Sequence, residues 1–76
     1  MLNNSFTLRM AERFAERVRA EMGEDPTGQL RRVCALAWGR EPTDLELASG
    51  IDFVLSHGLA AYCRVIFNSN EFLYVD

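Results

Sequence analysis

The side chains of this chain that could do chemistry are one histidine, two cysteines, eleven carboxylates and eight basic groups, all of them arginine. Each type makes a site only at certain spacings. Two histidines flanking a glutamate on a helix bind zinc, close cysteine pairs hold metal or exchange electrons, and glycine-rich loops cradle phosphate. The corresponding patterns HExxH, CxxC, GxGxxG and GxxxxGK[ST] do not occur. His57 stands alone beside Gly58. Its charged form suits the negative end of a helix dipole, so it reads as a C-terminal helix cap. Cys34 and Cys63 each fall in an apolar stripe at helical spacing. A free thiol there behaves as a small hydrophobe, and core thiols are the first reading. A bridge between them and a metal pair are the alternatives, the latter with no histidine at ligand spacing. The carboxylates fall on solvated faces and at caps, and no pair stands in environments that would separate their pKa values as acid–base work requires. The chain reads as a non-enzyme with no catalytic residue, metal site or cofactor of its own.

The apolar residues recur at helical spacing, and no stretch alternates like a strand. Asn4 or Ser5 caps a first helix, with Met10, Ala11, Phe14, Ala15, Val18 and Met22 on one face. Arg9, Glu12, Arg13, Glu16 and Arg19 take the other face, and Arg17 stands four residues before Glu21. Gly23 closes this helix, and Pro26 or Thr27 opens the second. Leu30, Val33, Cys34, Ala37 and Trp38 form its stripe, which Gly39 ends. Thr43-Asp44-Leu45-Glu46 is a capping box and fixes the start of a third helix. Leu47, Ala48, Ile51, Val54 and Leu55 share the expected inner face of that helix, whereas Leu45 and Phe53 do not. Either it is covered on two sides or Phe53 faces a partner. Leu59, Tyr62, Cys63, Ile66 and Phe67 make the stripe of a fourth helix, apolar enough to lie centrally. The expectation is all-α, a compact bundle of about four short helices in a single domain over residues 1–76.

Composition narrows the function classes. A chain of 76 residues that is 49% hydrophobic argues against disorder. Its core is marginal, because a domain of this size buries only roughly 60% of its unfolded surface. The net charge of −3 disfavours nucleic acid and anionic membrane surfaces. Arg31-Arg32 is the only basic doublet and sits on a solvated helix face. No apolar run approaches the roughly 20 residues of a membrane span. The short corner between the second and third helices mimics a helix-turn-helix, but Asp44, Glu46 and Asp52 would repel phosphate. An acidic four-helix chain also suggests an acyl carrier protein, yet Pro42-Thr43-Asp44-Leu45 lacks the serine that would hold the prosthetic group.

Four segments together carry a family resemblance. They are Leu2-Asn3-Asn4-Ser5-Phe6, the stretch from Ala11-Glu12 to Ala15-Glu16-Arg17, Trp38-Gly39-Arg40-Glu41-Pro42-Thr43, and the ending Asn68-Ser69-Asn70-Glu71-Phe72-Leu73-Tyr74-Val75-Asp76. The chain resembles, over nearly its whole length, the C-terminal segment of large planctomycete proteins of unknown function that often pair with a cytochrome-c-like domain. The ending is the most specific part; other helical repeat families use a similar Leu-Gly-Arg-x-Pro corner. The sequence departs from the pattern at Ser5, where the family usually has proline, and at Trp38, where it commonly has leucine. The resemblance implies a segment of a longer, exported parent. It supplies no catalytic residues, and without Cys-x-x-Cys-His this chain attaches no c-type haem itself.

The functional expectation is therefore a helical structural or protein-interaction module. It would pack against the rest of a parent chain or a protein partner, a second copy included. The apolar tail and off-face Phe53 motivate this, and the residues singled out are Arg40, Phe53, Phe72, Leu73 and Tyr74. The plainer reading has Phe72 and Tyr74 closing the domain's own core and Arg40 capping carbonyls at the end of the second helix. The alternative function is a segment that completes an enzymatic site in a cytochrome-associated parent, with Glu71 and His57 as its candidates.

Overall fold

The computed structural model describes residues 5–69. Asn4, Glu71, Phe72, Leu73 and Tyr74 lie outside that span. The described chain forms α1 (Ser5–Met22), α2 (Pro26–Trp38), α3 (Asp44–His57) and α4 (Leu59–Phe67), without a strand among the described residues. The all-α, four-helix expectation matches this architecture. None of the described helices is long and apolar enough to cross a membrane.

Three helices follow the sequence pattern closely. On α1 the buried residues are Thr7, Ala11, Phe14, Ala15 and Val18, while Met22 is exposed. Its polar face is laced by Arg17, whose Nε donates to Glu21 at 3.0 Å. α2 opens at Pro26, as expected, and Asp25 caps it: its Oδ2 accepts from the Gly28 amide at 3.3 Å. Pro26 then sits in the first turn, where no amide is needed. Gln29 is buried and donates through Nε2 to the Gly23 carbonyl at 2.6 Å, which ties the end of α1 to α2. Leu30, Val33, Cys34 and Ala37 are buried, and Gly39 closes α2 in the left-handed region at φ 71°. All five stripe residues of α4 are buried. Phe14 of α1 and Phe67 of α4 pack with ring centroids 5.5 Å apart.

The third helix is turned in part from its expected setting: Leu47, Ile51 and Val54 pack against the core as expected, two others do not. Leu55 and Ala48, assigned to the inner face, are exposed, and Gly50 is the one buried residue of α3. The cause is a close approach. A Cβ added at Gly50 would collide with Cδ2 of Leu30 and stand 3.3 Å from Cε1 of Tyr62. Leu30 is fully buried and fills the notch left by the absent side chain. α3 thus touches α2 and α4 but makes no contact with α1. Leu47, Ile51 and Val54 still pack against the core from half-buried positions, while Leu45, Ala48 and Leu55 are exposed.

Candidate functional site

The end of α2 and the start of α3 converge on Arg40. Its guanidinium lies 4.5 Å over the Trp38 ring. Nη1 and Nη2 donate to Oε1 and Oε2 of Glu46 at 2.9 and 3.0 Å, a two-pronged pairing. Nη1 also donates to the Glu41 carbonyl at 3.0 Å. Arg40 therefore holds a linker carbonyl and the first turn of α3, where the sequence had suggested the carbonyls at the end of α2. Glu46 serves two purposes. Its Oε1 accepts from the Thr43 amide at 2.9 Å while Thr43 Oγ1 accepts from the Glu46 amide at 3.1 Å, so both halves of the capping box are present. The Arg40 guanidinium, and next the Thr43 amide, hold the Glu46 carboxyl down to a pKa of about 2.

Beside this corner runs a groove of about 310 Å³ between α3 and α4, lined by Trp38, Gly50, Phe53, Tyr62, Val65 and Ile66, with Ser69 at one end of its α4 wall. Trp38 Nε1 donates to Ser69 Oγ at 2.9 Å and pins the end of α4 to α2. Phe53 packs with its centroid 6.2 Å from Tyr62 and 4.7 Å from the His57 ring. It is half-buried and faces the groove, so its off-stripe position reflects the rotation of α3. His57 is exposed in the last turn of α3, whose closing hydrogen bond runs from the Gly58 amide to the Val54 carbonyl at 2.8 Å.

The thiols are core residues. Cys34 and Cys63 are free and buried, which removes the bridge reading. Burial pushes the Cys63 thiol up to about 12, and burial likewise raises Cys34. The Tyr62 phenol is raised by burial too; its hydroxyl stands 4.0 Å from Cys34 Sγ. Among the described residues no cluster of three or more histidine, cysteine, aspartate or glutamate side chains is placed to hold a metal. Arg31 and Arg32 occupy a solvated face: Arg32 pairs with Glu21 at 2.6 Å, and Arg31 reaches Glu41 only at 3.9 Å.

Of the five singled-out residues, the fold brings Arg40 and Phe53 to two sides of Glu46 and the groove, and the other three lie outside the described span. Sequence reasoning missed Gly50, whose mid-helix position was the available signal. It also missed the second oxygen of the capping-box glutamate, which is free to take an arginine. Comparison with known proteins finds no matching family model, curated protein or solved structure.

Proposed function

We propose that this chain is a helical structural and protein-interaction module with no catalytic machinery of its own, which packs against the rest of a larger chain or a partner subunit. The observation that carries the reading is α3. Leu45 and Leu55 are 78% and 71% exposed, although a helix this apolar is ordinarily covered on more than one side. At 100° per residue, Ala48 and Leu55 share the flank opposite the groove, beside Ile51, which packs against the core. Covering a leucine side chain contributes about 1.5–3 kcal/mol, so a few such residues suffice for a specific contact. The resemblance to a C-terminal segment of larger, exported, cytochrome-associated proteins supports the same reading, because a segment of that kind has a parent chain to pack against.

The test is sedimentation equilibrium with binding of an apolar dye, on the chain and on Leu55→Glu. A self-association or dye-binding surface that Leu55→Glu removes, with the melting temperature little changed, supports the module. A monomer that binds no dye, or an association indifferent to the substitution, sinks this face as its interface.

A further inference from the structure

We propose that the outward face of α3 docks the outward face of α1 of a second copy of this chain, so that copies join head to tail. The inference rests on the reading of α3 as an interface, and it names the occupant.

The two faces are complementary in charge. On α3, Leu45, Ala48, Asp52 and Leu55 fall within about 80° on the helical wheel, at the i, i+3, i+7, i+10 spacing of a helix-packing seam, and all four are exposed. Asp52 sits inside the seam and Asp44 flanks it. Neither carboxylate has an ion-pair partner among the described residues. A second α3 is a poor occupant, because this helix carries Asp44, Glu46 and Asp52 against one histidine, and like charges facing each other across an interface repel. α1 offers the opposite sign. Phe6, Arg9, Arg13 and Arg17 share its outward face, again within about 80°. Phe6 is 60% exposed, and Arg9 and Arg13 are exposed with no ion-pair partner among the described residues.

The spacings match as well. Laid antiparallel with Phe6 against Leu55, the two helices set Arg9 opposite Asp52, three residues on in each. Arg13 then faces Ala48, whose small side chain leaves room for it, and Glu16 at the edge of the face meets Leu45. Eight residues beyond the first charge pair, about 12 Å along both axes, Arg17 comes opposite Asp44 while its Nε keeps Glu21 at 3.0 Å.

The fold sets the symmetry of the assembly. α1 and α3 each pack on α2 and α4 and do not touch one another, so their outward faces look to opposite sides of the bundle. Each docked copy keeps one face open, and a contact between unlike faces that does not close propagates. A contact built on one helix face per copy is small, which makes it weak and reversible.

Sedimentation velocity up to millimolar chain, at low and high salt, tests the proposal. The mass of the unsubstituted chain should rise past that of a dimer with concentration and fall when salt is raised. Arg9→Asp should weaken association at least about tenfold by setting like charges opposite, and the double variant Arg9→Asp, Asp52→Arg should associate again. Leu55→Glu should also weaken it. Arg9→Asp and Leu55→Glu chains mixed in equal amounts should give a one-to-one dimer and nothing larger, since only α1 of the second and α3 of the first still match. Formation of that dimer also shows that both variants are folded. A chain that stays monomeric at millimolar concentration and low salt would overturn the proposal; apolar-dye binding that Leu55→Glu still removes would then keep α3 as an interface for another partner. Association that Leu55→Glu removes and Arg9→Asp leaves unchanged would overturn α1 as the occupant and leave α3 standing. Association that Arg9→Asp weakens and Leu55→Glu does not would take α3 out of both readings.

Discussion

Cδ2 of Leu30 occupies the space that a Cβ on Gly50 would need. This contact between α2 and α3 sets the rotation of α3, and with it which residues line the groove. Gly50→Ala should therefore be destabilising although alanine is the better helix former. Overpacking costs about 1–3 kcal/mol, and the helix gains back about 0.5–1 kcal/mol. The net loss of about 1 kcal/mol corresponds to a fall of about 4–8 °C in melting temperature for a domain of this size. A denaturation double-mutant cycle with Leu30→Ala should show coupling of at least about 0.5 kcal/mol. Additive effects would place the contact elsewhere.

The Arg40–Glu46 pair makes stability depend on pH in a defined window. The folded carboxyl has a pKa of about 2, against an ordinary 4.5. The native state therefore binds fewer protons than the unfolded state between those values. Its contribution is complete above 4.5 and is lost as pH falls towards 2. Glu21, held low first by Arg17 and then by Arg32, acts in the same direction. Urea midpoints measured from pH 7 to pH 2 should fall through this window, and Glu46→Gln should start lower at pH 7 and fall less steeply. An equal slope in the variant would mean that Glu46 is not the group responsible.

Thr43 supplies the hydroxyl half of the same cap, accepting from the Glu46 amide at 3.1 Å. Thr43→Ala should cost about 1 kcal/mol, the usual loss at an N-cap. Thr43→Ser should recover most of it, because the acceptor oxygen is retained. Thermal melts of the two variants test this, and equal losses would point to the threonine methyl instead of its hydroxyl.

Cys34 and Cys63 should resist alkylation in the native state. Both are buried, and burial holds each thiol above its ordinary pKa, Cys63 at about 12. The thiolate is the reactive form, so labelling at pH 8 should track opening of the fold. Added denaturant should accelerate it in step with unfolding. Labelling of either cysteine at the rate of a free thiol in the folded protein would contradict the core placement.

The sequence by itself determined where the helices run and which faces α1, α2 and α4 bury. Their apolar residues recur at a period of 3.6, and a helix with one apolar stripe has only one way to face a core. It also determined the start of α3, because a capping box is satisfied by residues three apart. Only the tertiary structure decided how α3 turns. That helix is apolar on more than one side, so its pattern favours no single face, and the choice fell to Gly50, which carries no side chain for a hydropathy pattern to register. The same holds for the contacts that shape the groove. Arg40 and Glu46 are six residues apart and Trp38 and Ser69 are thirty-one apart. Neither separation is a helical neighbour distance, so Arg40 meets Glu46 only after the corner has closed, and Trp38 meets Ser69 only after α4 has packed beside α2.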